Sequence, residues 1–184
     1  EAIARKAEKR FVLAVKFAYA FGLRRREALL LEFHHAYNRA METGFIDIIR
    51  GTKGGRSRSV PRVLPVPAVG FDYLQEACHD FPEFCCLLLS DSYKAVSNSL
   101  SNTVLPILKE HGIKRFHDLR VDYAAFRYKQ LTGYDAPINS ALRADKELDK
   151  QARAVISAEL GHSRPEIINA YIGSFHEKPL SNRS

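Results

Sequence analysis

The sequence predicts a mainly α-helical protein with one small antiparallel β-sheet, an α+β class. Three observations carry that expectation. Apolar residues recur at three- and four-residue intervals through most of the chain. The period changes once, between Phe45 and Leu64. Glycine or proline stands where most helical stretches should stop or start.

Over residues 2 to 20, Ile3, Ala7, Phe11, Ala14 or Val15, and Ala18 share one face of a helix that Gly22 ends, and Tyr19 falls in its apolar stripe. A second helix is expected from about Arg25 to Phe33, carrying the run Ala28 to Leu31. Phe45 to Ile49 reads as a strand, Gly51 to Ser57 as a Gly-rich basic turn, and Ser59 to Leu64 as the returning strand. Pro61 has no N–H to give a ladder, so the returning strand belongs at an edge or is irregular. After Pro65 and Pro67 helix returns, roughly over Ala68 to His79, before a loop around Pro82. Residues 93 to 110 form the next helix, closed by Gly112. Asp118 to Leu131 follows, then an irregular segment with Gly133 and Pro137. A charged helix is expected over residues 145 to 160, and Pro165 opens a last short helix containing Tyr171.

The 184 residues suffice for one sizeable core, and 46% hydrophobic with 27% charged residues is the composition of a soluble globular chain. No apolar run is long enough to span a bilayer, and the charged start, Glu1 to Arg10, has no signal-peptide pattern. That start lies inside a helical pattern without an initiator Met, which predicts a piece of a longer protein. Cys78, Cys85 and Cys86 are odd in number and lack C-x-x-C spacing. They are expected to be buried thiols of a reducing cytoplasm, not a disulfide framework or a zinc site. A net charge of +7 favours a polyanionic partner, nucleic acid being the commonest, because neutralised phosphates release counterions.

Four stretches carry chemistry. In Gly22-Leu23-Arg24-Arg25-Arg26-Glu27, three arginines alone would be a solvated basic face, but Arg24 stands three residues before Glu27, which can orient its guanidinium on a helix. In Thr52-Lys53-Gly54-Gly55-Arg56-Ser57-Arg58, glycines at a basic turn allow close approach to a phosphate backbone, and Lys53 could deliver a proton there; a polar hairpin tip fits equally well. In His117-Asp118-Leu119-Arg120, His and Arg at i and i+3 near a helix start can face one phosphate. The plainer alternative is a partial cap at His117 and a surface ion pair of Arg120 with Asp118 or Asp122. In Leu160-Gly161-His162-Ser163, a Gly-His turn aims an imidazole toward a phenol nine residues on, Tyr171. Seven other tyrosines compete with it; Tyr123 and Tyr128 share a helix with Arg120 and are expected in the core or at its flank.

Together, and in this order, the four stretches resemble the tyrosine recombinases, or phage-type integrases. The resemblance runs from about Gly22 to Tyr171 and rests on G-L-R-x-x-E, T-K-G-G-R-x-R, H-x-L-R, and L-G-H followed by the tyrosine. It implies a tyrosine recombinase catalytic domain-like fold over residues 1–184 as a single domain, with no counterpart of the family's N-terminal DNA-gripping domain. It implies that Arg24 and Arg120 clamp the non-bridging oxygens of a scissile phosphate, with His117 and His162 adding hydrogen bonds. Lys53 would be the general acid on the leaving 5′ oxygen, Glu27 the support of the arginines, and Tyr171 the nucleophile that becomes a 3′-phosphotyrosine. Arg25, Arg56 and Arg58 would contact DNA. The implied partners are double-stranded DNA with attachment sites and, for the full-length protein, further copies of itself in a tetramer; the implied place is the bacterial cytoplasm, with no membrane. The phosphotyrosine retains the bond energy, so no cofactor is implied, and the sequence has no P-loop and no H-E-x-x-H.

Two departures stand out. About Gly133 to Lys150 forms an extra loop leading into a charged helix, as in the integrases of bacterial integrative elements, where an insertion precedes a stretch like Ile156 to His162. The residue after Arg120, often His in relatives, is Val121. Three alternatives stay open at this point: a type IB topoisomerase-like DNA-relaxing enzyme, a catalytically inactive DNA-binding relative, and a metal-dependent nuclease. The filled polar positions speak against the second, and the lack of a carboxylate cluster against the third.

Overall fold

In the computed structural model, which describes residues 2–52, 61–162 and 164–175, the chain is helical around one two-stranded antiparallel sheet. It divides into two compact units, Glu1–Leu119 and Arg120–Ser184.

The first unit opens with α1 (Ala2–Phe21), whose Leu13, Ala14, Phe17, Ala18 and Phe21 are fully buried. Those residues recur at three- and four-residue steps, so one face is apolar throughout. Tyr19, placed in that stripe by the sequence, is instead 49% exposed: one residue past Ala18 is 100° around the helix, off the buried face. The second helix is shorter than expected. α2 (Arg25–Leu30) stops before an extended Leu31, and Phe33 begins a separate helix, α3 (Phe33–Thr43), to which the sequence reading assigned no element. Its Phe33, Ala36 and Ala40 repeat at helical spacing and are buried, but two of the three are alanines, a weak apolar signal. Gly44, left-handed at φ +76°, closes α3 and starts the sheet.

The sheet pairs β1 (Phe45–Ile48) with β2 (Arg62–Pro65), with Ile46 opposite Leu64 and Ile48 opposite Arg62. Ile46, Ile48 and Leu64 face the core at 0–2% exposure while Phe45 and Val63 are exposed, the period-two alternation of a one-sided sheet. The basic turn with Lys53, Arg56 and Arg58, and the expected strand start at Ser59, lie outside the described residues. α4 (Ala68–Asp80) packs on α1, joined by Lys16–Glu76 at 2.5 Å and Lys9–Asp80 at 2.9 Å. α5 (Tyr93–Glu110) starts on Ser92, whose hydroxyl accepts from the Ala95 N–H. Of the three thiols expected to be buried, only Cys86 is; Cys78 is half-buried and Cys85 exposed, and all three are free.

α6 (Asp118–Thr132) leads into the second unit, followed by an irregular segment and α7 (Lys146–Glu159). Asp145 caps α7 by accepting from the Glu147 and Leu148 N–H groups, both at 3.0 Å. A 3₁₀ turn (Pro165–Ile168) runs into α8 (Asn169–Ile172). The core of this unit is Tyr123, Ala124 and Tyr128 of α6, Ala152 and Ile156 of α7, and Leu160, Ile168, Tyr171 and Ile172. No helix among the described residues is long and apolar enough to cross a membrane.

Candidate active site

In the first unit Arg24 and Arg62 gather around one carboxylate. Glu27, in the first turn of α2, is fully buried. Its Oε1 accepts from the Arg24 guanidinium at 2.9 Å and from Arg62 at 3.1 Å, and its Oε2 from the Arg24 backbone N–H at 2.8 Å and Arg62 at 2.9 Å. A carboxylate has about four acceptor positions, and all are used. Burial pushes the Glu27 carboxyl up, but the charge and hydrogen bonds of Arg62, with those of Arg24, outweigh it and hold the group below its ordinary value. Glu27 is therefore an anion at neutral pH. Arg24 remains 26% exposed at its side chain, so one edge of its guanidinium is fixed and the other faces outward.

Arg62 was not anticipated from the sequence. In β2 it shares a face with Leu64, two residues on, and that face is the core. An inward arginine needs a buried anion, and Glu27 is that anion. The other two arginines of the triplet are also engaged. Arg25 donates to Ser101 Oγ of α5 at 2.6 Å, and Arg26 lies over the Tyr93 ring at 5.3 Å. Gly51 roots the hairpin turn: at φ +83°, a Cβ there would stand 3.0 Å from the Arg26 carbonyl carbon and oxygen and from the Glu27 nitrogen. Only glycine lets the chain at position 51 lie this close to the α2 backbone of Arg26 and Glu27. His117 sits in the exposed turn before α6, and Asp118 pairs with Arg115 at 3.0 Å.

In the second unit three of the expected residues come together. Arg120 is 1% exposed, which removes the reading of a surface ion pair, and its guanidinium donates to the Leu160 carbonyl at 2.9 Å. Leu160 is the last residue before the turn that carries His162. That turn is a Schellman motif: Gly161 is left-handed at φ +67°, its N–H reaches the Ala158 carbonyl, and the His162 N–H reaches the Ser157 carbonyl, both at 2.9 Å. The reversal directs His162 back to α8, where its Nε2 stands 3.1 Å from the Tyr171 phenolic oxygen, the rings tilted at 57°. With Nε2 unprotonated the phenol donates and the imidazole can accept its proton; with Nε2 protonated the ring donates and steadies a phenolate. Tyr171 itself is 5% exposed, between the buried Ile168 and Ile172.

The competing phenols of α6 are in the core, as expected, and are occupied differently. Tyr123 donates to Glu159 at 2.9 Å, and Glu159 is also held by Arg127. Tyr128 is fully buried and donates to Asp149 at 2.8 Å. Burial first, then the hydrogen bond and charge of Asp149, push the Tyr128 phenol far above its ordinary range. A phenol against a carboxylate resists ionisation, whereas Tyr171 faces an imidazole.

A family described as Integrase matches residues 2–126. The match covers well over half of the chain, which belongs to the integrase family, proteins of DNA recombination and integration. The matched stretch includes Arg24, Glu27, His117 and Arg120 and ends before His162 and Tyr171. No curated protein and no solved structure matches the chain.

Proposed function

We propose that this integrase is a site-specific recombinase that cleaves and rejoins DNA strands through a 3′-phosphotyrosine on Tyr171, with neither metal nor ATP. The observation that carries the reading is the 3.1 Å contact between His162 and Tyr171, with Arg120 on the carbonyl just before their turn. A phenol with an ordinary value near 10 attacks slowly at neutral pH unless its proton has an acceptor or its phenolate a partner, and His162 supplies one or the other. Tyr171 Oη attacks phosphorus, the bond to the 5′ oxygen breaks, and Lys53 protonates that oxygen. Arg24, Arg120 and His117 donate to the phosphoryl oxygens, where negative charge grows in the transition state. Glu27 holds Arg24, and Arg25, Arg56 and Arg58 bind the DNA backbone. Residues 1–184 act as one catalytic domain with an insertion over 133–150, as in integrases of bacterial integrative elements, and tetramers assemble on attachment-site DNA.

A nicked suicide duplex carrying the element's own attachment junction tests this. After denaturing electrophoresis, wild-type protein gives a covalent protein–DNA band that Tyr171→Phe abolishes. A band that survives Tyr171→Phe ends the assignment. Arg24→Ala and Arg120→Ala should each slow its formation by about 10²–10³ while keeping salt-sensitive DNA binding.

A further inference from the structure

Tyr171 lies on α8, a helix of four residues, and so short a helix has no cooperativity of its own to fix a side chain. Core packing and the His162 contact are therefore joined by bonds at its ends, which two elements supply. From α7, Arg153 is 8% exposed and donates from one nitrogen to Asn169 Oδ1 at 2.8 Å and to the Gly173 carbonyl at 3.0 Å, one bond on each side of Tyr171. Asp149, at 2.7 Å, and through it the Tyr128 hydroxyl hold Arg153 in that pose. From the irregular segment between α6 and α7, the Ile138 N–H donates to the Ile172 carbonyl at 2.9 Å, and Arg143 Nε donates to the Phe175 carbonyl at 3.0 Å. Arg143 also bonds the Ser140 carbonyl, so it ties its own segment to the residues after the tyrosine. The end of a helix leaves carbonyls without intrahelical partners, and here the Ile138 N–H serves that of Ile172 while Arg143 reaches the chain three residues beyond the helix.

We propose that Arg153 and Arg143 are positioning residues that hold the Tyr171 helix for attack, and that the segment over 133–145 acts within its own chain as a latch on the nucleophile. The inference rests on Tyr171 being the nucleophile. Misplacing a reacting atom by about 1 Å costs about 10²-fold in rate. A lysine at 153 has a point charge where the fork bridges Asp149, Asn169 and Gly173, and cannot make all three bonds in the same geometry.

Single-turnover formation of the covalent complex on the nicked duplex decides the matter, for wild type, Arg143→Ala, Arg143→Lys, Arg153→Lys and Tyr171→Phe. DNA affinity and thermal unfolding are measured on the same preparations. Arg143→Ala should slow adduct formation about 10-fold and Arg153→Lys about 10- to 100-fold, with DNA affinity unchanged, and Arg143→Lys should recover part of the rate. The loss should persist on a duplex with a bridging 5′ sulfur, which departs without an acid, because the fault lies in attack. Should Arg153→Lys fail to fold, the half-buried Arg143 decides alone. Wild-type rates in the folded variants overturn the latch and leave Tyr171 standing. A slowing that the sulfur duplex abolishes, or that follows a matching loss of DNA affinity, also overturns it. No wild-type adduct, or an adduct from Tyr171→Phe, overturns the nucleophile assignment and the latch with it.

Discussion

The two units fix their functional side chains by opposite means. In the first, Arg24 is held by charge: a fully buried carboxylate between two guanidiniums, one of them 35 residues away on the returning strand. In the second, Tyr171 is held by bonds to its helix backbone and by a contact from the His162 imidazole to its hydroxyl. The difference suits the two tasks. An arginine that receives a phosphate keeps its charge throughout, so an anion behind it is harmless. A phenol that must lose its proton would be hindered by a carboxylate, as Tyr128 is beside Asp149. In the second unit Glu159 and Asp149 stand against Tyr123 and Tyr128, and an imidazole stands against Tyr171.

The comparison breaks most sharply at Glu27. Glu27→Ala removes the anion from between Arg24 and Arg62 and should destabilise the protein by about 3–5 kcal/mol in denaturant unfolding. Loss of less than about 1 kcal/mol would mean that water replaces the carboxylate and that charge does not hold the first unit. Glu27→Gln sharpens the same point through pH. Because the folded value of Glu27 is below the ordinary 4.5, its contribution is complete above that value and is lost as pH falls through the lowered one. The melting temperature of wild type should therefore fall more steeply than that of Glu27→Gln on acidification from about pH 6 to pH 3. Next in size is Gly51→Ala, which places a methyl group 3.0 Å from the α2 backbone at a left-handed φ; about 1–3 kcal/mol should be lost in the same unfolding measurement. The smallest effect belongs to the second unit. Tyr128→Phe deletes a neutral donor to Asp149, which keeps Arg153, and should cost about 1 kcal/mol. A loss as large as that of Glu27→Ala would erase the contrast.

Much of this was legible in the sequence, for reasons tied to particular residues. The long helices were, because Phe11, Ala14 and Ala18 or Ala152 and Ile156 repeat at helical spacing and glycine or a capping aspartate marks their ends. The Gly161-His162 turn and its phenol were, because a Schellman turn needs only local sequence. α3 was not, since its inward residues are largely alanine, and neither was Arg62, whose partner lies 35 residues back, beyond a helix and a strand, a separation that no spacing rule spans. Period two on β2 could have revealed it: Leu64 points inward, so Arg62 does, and an inward arginine asks for an acid. Arg143 and Arg153 escaped for another reason. Their bonds to the Phe175 and Gly173 carbonyls carry no motif, since every residue has a carbonyl, and the i,i+4 spacing of Asp149 and Arg153 reads as an ordinary helix pair.

Gly161 has one consequence that concerns handedness. Its φ of +67° is the mirror image of the torsion that ordinary amino acids favour. In a chemically prepared chain, D-alanine at 161 would sit at its own energy minimum and surrender less disorder on folding than glycine does, a gain of about 1 kcal/mol. L-alanine, the same atoms reflected, would be forced out of its preferred basin and would swing His162 from the phenol. The 3.1 Å contact between His162 and Tyr171 therefore depends on a residue that, alone among the genetically encoded ones, has no hand.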